Sequence, residues 1–134
     1  MFFKKLLVLF LSLVLFNTFA NADCLTGLDE SVLDKKLANS NDSYGVVKSP
    51  VSCHKPKTSY EKFVCSESKF KKLDLLALRT EIYNYENATK EQLLGKELRT
   101  YIKSMNWTQS TCKTKECMCK NLYNTDQLDI MWSD

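Results

Sequence analysis

YEKFVCSESKFKKLDLLALRTEIYNYE, residues 60–86, is the stretch that decides the fold class. Phe70, Leu73, Leu76 or Ala77, then Leu78, Ile82 and Tyr85 recur at threes and fours, while Lys69, Lys71, Lys72, Arg79 and Glu86 take other positions. That is the period of an α-helix with a buried face. Downstream, Asn87-Ala88-Thr89 reads as a break. Thr89 with Gln92 three residues later has the form of a capping box, in which side chains and free backbone N–H groups satisfy one another. A second helix is predicted through Leu94, Leu98, Tyr101, Ile102 and Met105. A third is predicted over about residues 115–130, on Met118, Leu122 and Ile130. Upstream, Leu25, Leu28, Val32, Leu33 and Leu37 give one short helix, ended by the polar turn-forming run NSNDSYG at residues 39–45. Pro50 and Pro56 then bracket an extended passage through Cys53. The 3 glycines of the chain and its lack of alternating runs leave little room for a sheet. The expectation is all-α: a small disulfide-stapled bundle of three main helices, residues 59–134, behind an irregular N-terminal extension, residues 23–58.

Residues 1–22 read as an export signal rather than structure. Lys4 and Lys5 stand ahead of an apolar run from Leu6 to Phe16, and Ala20-Asn21-Ala22 has the small-x-small form of a cleavage site. The run is shorter than the roughly 20 residues that a membrane span needs, so no lasting anchor is expected. Asp23 in front of Cys24 argues against lipidation, which needs a small residue there. Removing 22 of the 134 residues leaves 112, one domain's worth of chain. Of 19 basic residues the signal carries two, so 17 basic face 16 acidic residues, a net charge of +1 against +3 for the precursor. That near-balance argues against nucleic acid, whose phosphates are met by basic stripes.

All 6 cysteines, Cys24, Cys53, Cys65, Cys112, Cys117 and Cys119, lie beyond the signal. An even count in a small exported chain reads as three disulfides. The rival is a metal: Cys112-x4-Cys117-x-Cys119 with His54. Zinc sites show two close pairs, and this spacing shows one irregular cluster and a lone histidine, so no metal is expected. Short connections make successive helices antiparallel, which places Cys65, Cys112, Cys117 and Cys119 at one end of the bundle. Cys65 is therefore expected to bond one of Cys112, Cys117 or Cys119, Cys53 another, and Cys24 the last.

No constellation of residues points to catalysis. His54 beside Cys53 is adjacent in sequence only, since neighbours on an extended chain point opposite ways. Cys117-Met118-Cys119 as a redox pair would close a strained ring. Asp29-Glu30 gives no controlled separation across a glycoside and suits a helix N-terminus. Lys69, Lys71 and Lys72 read as a solvated helix face rather than a phosphate or lipopolysaccharide site. Trp107 reads as core and Trp132 as an anchor for a partner. Asn41, Asn87 and Asn106 head Asn-x-Ser/Thr sites, which matter only in a host that glycosylates. No cofactor is called for.

Glu61-Lys62-Phe63-Val64-Cys65-Ser66, followed by Phe70, Leu73 and Asp74, resembles the opening of the lysozyme inhibitor LprI-like family of exported bacterial proteins. Ser52-Cys53 upstream resembles its preceding cysteine motif, and Leu98-Arg99-Thr100-Tyr101-Ile102 a later family segment. Cys112 and Cys117, ahead of Tyr123, resemble its two later cysteines. The resemblance covers about residues 53–131, and the part around Cys65 is the specific one. Leu98, Tyr101 and Met105 stand where the family has glutamine, tryptophan and arginine. Cys112 falls about one helical turn late, and Glu81 replaces a tyrosine. The resemblance implies a helical periplasmic or secreted protein, with Glu61, Cys65, Phe70, Leu73, Asp74, Arg99, Tyr101 and Tyr123 as its motif positions. It also implies, for some members, binding and inhibition of a lysozyme or related peptidoglycan hydrolase by occluding its cleft, through an exposed lysine or asparagine that the sequence does not single out. The alternatives are a non-enzymatic accessory protein of the envelope and an immunity factor for a secreted toxin.

Overall fold

The computed structural model describes residues 24–123. The export signal expected at residues 1–22 lies outside the described residues, as do Ile130 and Trp132. Six helices occur among the described residues and no strand: α1 Cys24–Gly27, α2 Glu30–Tyr44, α3 Ser59–Val64, α4 Ser68–Thr89, α5 Gly95–Ser104 and α6 Lys115–Leu122. The fold is all-α and disulfide-stapled, as the sequence predicts.

Helix α4 is the axis. Leu73, Leu76 and Ala77 face one cluster with Tyr60, Phe63, Val64, Leu33, Cys24, Met118, Cys119 and Leu122. Leu78 and Ile82 face a second with Val47 and Leu98, flanked by Tyr101, Ile102 and Met105. Helix α2 lies along α4, and α3 and α6 pack against both α4 and each other. Residues 24–58 thus share a core with the rest of the chain.

Several helix limits differ from the sequence reading, each for a visible reason. The run at residues 39–45 is not a turn: α2 continues to Tyr44. Arg79 of α4 donates from one guanidinium nitrogen to the Leu37 carbonyl, to the Ser40 hydroxyl at 2.5 Å and to Asn41 Oδ1 at 3.0 Å. Packing thereby overrides the weak helix propensity of Ser and Asn. The capping box at Thr89 and Gln92 does not form. Helix α4 runs through Thr89, whose hydroxyl donates to the Tyr85 carbonyl, and ends on Lys90 in the left-handed region, φ 60°. A capping box stands instead at Thr58 and Glu61. The Thr58 hydroxyl accepts from Glu61 N–H at 3.1 Å, and the Glu61 carboxylate accepts from Thr58 N–H at 3.1 Å and Lys57 N–H at 2.6 Å. These backbone donors hold the Glu61 carboxyl below the usual carboxylate range. The three-residue break at 65–67 separates α3 from α4.

The lysine cluster is partly structural. Lys72 bridges Glu30 at 2.9 Å and Asp34 at 2.6 Å on α2, and Lys69 donates to the Leu25 carbonyl, while Lys71 is exposed. Asp29 caps α2 by accepting from Ser31 N–H at 2.9 Å, the helix-terminal role expected of it.

The disulfides are Cys24–Cys119, Cys53–Cys65 and Cys112–Cys117. The expected pairing of Cys65 with Cys112, Cys117 or Cys119 is therefore overturned, as is that of Cys53 with the same group. The cause is the break after α3: Cys65 caps that short helix and meets the extended passage through Cys53, twelve residues back. Cys112 and Cys117 close the turn into α6. Cys119 follows by two positions, about 200° around a helix, so it points inward, fully buried, and takes Cys24.

Peptide mapping of the oxidised protein is expected to return these three bridges. Their sequence separations are 95, 12 and 5. By loop-closure entropy, losing Cys24–Cys119 should cost about 4–5 kcal/mol and losing Cys112–Cys117 about 2 kcal/mol. Urea denaturation of the paired Cys→Ser variants checks that order.

Candidate functional site

The longest irregular stretch after α4 connects α5 to α6 and is held at several points. Helix α5 ends on Met105, and Asn106 turns the chain in the left-handed region at φ 49°. Trp107 then points back into the fold, where its indole Nε1–H donates to Asp74 Oδ1 at 2.8 Å. The Thr108 carbonyl accepts from the Thr58 hydroxyl at 2.9 Å, so the residue that caps α3 also holds this loop. Cys112 N–H donates to the Ser110 hydroxyl at 3.1 Å, and Cys112 is bonded to Cys117 in the first turn of α6, which Thr114 caps. Between these anchors Asn106, Gln109, Ser110, Thr111 and Lys113 are exposed.

Asp74 is the hub beneath. It is 1% exposed and accepts from the Tyr60 hydroxyl at 2.5 Å and from Trp107, with a further hydrogen bond from the Ser49 side chain. Burial pushes its carboxyl above the usual aspartate range, against the opposing pull of those donors. Burial, then the charge of Asp74, pushes the Tyr60 phenol far above the tyrosine range. Asp74 is thus held by three donors, two of them on Oδ1, and its role in this arrangement is to position Tyr60 and Trp107. Over this floor lies a cavity of about 260 Å³, lined by Tyr60, Ala77, Thr80, Glu81, Met105 and Leu122 and by Asn106, Trp107, Gln109, Ser110 and Asn121.

The motif positions divide between core and surface. Glu61, Phe70, Leu73 and Asp74 are buried, with the Phe70 ring 4.5 Å from that of Phe63. Cys65 is in its disulfide, and Tyr123 caps α6 half-buried. Arg99 is exposed on α5, while the Tyr101 ring stacks 4.3 Å from Tyr85. Of these, Asp74 is hydrogen-bonded to the candidate loop through Trp107. His54 is exposed, and no described cysteine offers a thiolate, since every one is bonded. Trp107 is half-buried between both apolar clusters, as its place beside α5 suggests. The loop itself was not marked out by sequence; the signal for it is the polar run between Trp107 and Cys112.

No family model, curated protein or solved structure matches the chain. Three disulfides fit an oxidising compartment. Among the described residues no helix is long and apolar enough to cross a membrane.

Asp74→Ala leaves the buried Tyr60 and Trp107 donors without an acceptor and is expected to cost about 2–4 kcal/mol. Asp74→Asn keeps an acceptor and should cost far less. Because the folded carboxyl titrates above its unfolded value, its contribution is complete below the usual carboxylate pKa and falls away as pH rises through the raised one. The stability of Asp74→Asn relative to the parent should therefore grow with pH across that window. Urea denaturation over about pH 4–8 checks the sign.

Proposed function

We propose that this chain is an exported binding protein that inhibits a lysozyme or a related peptidoglycan-cleaving enzyme by laying the 106–113 loop into its cleft. The observation that carries the reading is the loop: exposed amide, hydroxyl and lysine side chains on a backbone held by Trp107, Thr108 and Cys112. A loop fixed before binding loses little conformational freedom on docking, which favours affinity. Glycosidases of this kind work with two carboxylates flanking the cleft. Gln109 and Lys113 offer the donors that such carboxylates accept, and a charged donor makes the stronger bond. The resemblance around Cys65 supports the same class of target, and the export signal with three disulfides supports a periplasmic or secreted location. The near-neutral charge favours a less basic target than a strongly cationic lysozyme, which an acidic inhibitor would attract.

A second reading, an accessory protein of the envelope, is favoured by one observation. Most residues that carry the resemblance, Glu61, Phe63, Val64, Phe70, Leu73 and Asp74, are buried, so they speak for a shared fold more than for a shared contact surface.

Lysis of cell-wall substrate by a panel of lysozymes, with and without the oxidised protein, separates the two. Inhibition of at least one class is expected, weakened roughly tenfold or more by Gln109→Ala with Lys113→Glu, about 1.4 kcal/mol or more of binding. Full lysis across the panel at large molar excess, with no complex on sizing, would leave the accessory reading.

A further inference from the structure

We infer that the cavity beneath the 106–113 loop binds a single neutral saccharide ring. The inference does not rest on the inhibitor reading. Its first support is the charge of the lining. Among the described residues Glu81 is the one carboxylate there, and no lysine, arginine or histidine lines the space. A phosphate, sulfate or carboxylate ligand would meet a like charge and no cation. Its second support is the mixture of surfaces. Trp107 lines it with an indole, and Ala77 and Leu122 with apolar carbon, but Asn106, Gln109 and Asn121 add three amide residues to the same lining, with Asn121 Nδ2 donating to the Cys112 sulfur at 3.2 Å. Each amide carries one acceptor and two donors, which is more hydrogen-bonding capacity than an aliphatic ligand can use. A sugar ring has both requirements in one molecule: an apolar C–H face to set against the indole, and an edge of hydroxyls that donate and accept.

Size and stiffness agree with that occupant. A volume of about 260 Å³ falls just below the roughly 300 Å³ at which sites for drug-sized ligands begin, which suits one ring inside the space. The indole cannot turn freely, because its N–H is held by buried Asp74. Asn106 sits at φ 49°, a conformation that asparagine tolerates better than most residues and that tends to collect at functional sites. The recognition surface is thus formed before any ligand arrives, which lowers the cost of binding.

The experiment uses the oxidised full chain carrying Trp132→Phe, which leaves Trp107 as the remaining tryptophan. Its fluorescence is titrated with neutral hexoses and N-acetylhexosamines, and with a sugar phosphate and tetramethylammonium as charged controls. A saturable change with a neutral sugar, at about 1 mM or tighter, is expected. Asn106→Gly keeps the left-handed backbone and removes the amide; Gln109→Ala removes a second amide. Each should weaken binding about tenfold with the thermal midpoint unchanged. The inference is overturned by no saturable response to any neutral sugar, by binding that both variants leave untouched, or by a tighter response to either charged control. No lysozyme is present, so failure here and failure of the inhibitor reading are separate results.

Discussion

A helix with almost no solvent face must satisfy its polar side chains from inside the protein, and α4 is such a helix over residues 73–80, none of which is exposed. Asp74, Arg79 and Thr80 are buried there together with the leucines around them. Asp74 finds Tyr60, Trp107 and Ser49; Arg79 finds Leu37, Ser40 and Asn41; Thr80 donates to the Leu76 carbonyl. These partners come from separate parts of the chain, so the polar interior of α4 fixes where α2, α3, the 47–58 passage and the 106–113 loop must lie. Arg79 is the imperfect case: its Nε has no hydrogen-bond partner among the described residues, and burial lowers its pKa. Its value lies in register, since the Ser40 and Asn41 contacts hold α2 helical to its end.

The disulfides reinforce the same arrangement at different ranges. Cys24–Cys119 joins the first described residue to α6 across the core. Cys53–Cys65 ties the extended passage to the end of α3, and Cys112–Cys117 seals the loop before α6. Only the first spans a long loop, so by chain entropy it dominates the global effect. The others act locally, on the two stretches without helix that flank the buried carboxylate.

How much of this was legible in the sequence depended on how many faces an element buries. Helix α5 buries one, and Leu98, Tyr101, Ile102 and Met105 marked it cleanly. Helix α4 buries nearly all of its middle, which is why the helical period there admitted either Leu76 or Ala77 on its buried face while the helix itself was plain. Residues 39–45 read as a turn because their helicity comes from Arg79, forty positions away. The cysteine pairing failed for a related reason: one expected helix is two, and the break at 65–67 redirects Cys65. Of the candidate site, Trp107 was visible as a core tryptophan, but its tie to Asp74 is a distant contact that no local pattern carries.

The candidate loop and the core are joined through few atoms, and this shapes what the surface can become. Thr58 caps α3 with the same hydroxyl that holds the Thr108 carbonyl, and Asp74 closes the core with the same oxygen that holds Trp107. Substituting those anchors disturbs fold and loop together. Gln109, Thr111 and Lys113 have no such side-chain anchor among the described residues and are exposed, where substitutions usually change stability by less than about 0.5 kcal/mol. A scaffold divided in this way can alter what it binds without altering how it folds. The same division separates the stretch from Glu61 to Asp74, whose Glu61, Phe63, Val64, Phe70, Leu73 and Asp74 are held by burial, from a loop whose Gln109, Thr111 and Lys113 face solvent and are free of that constraint.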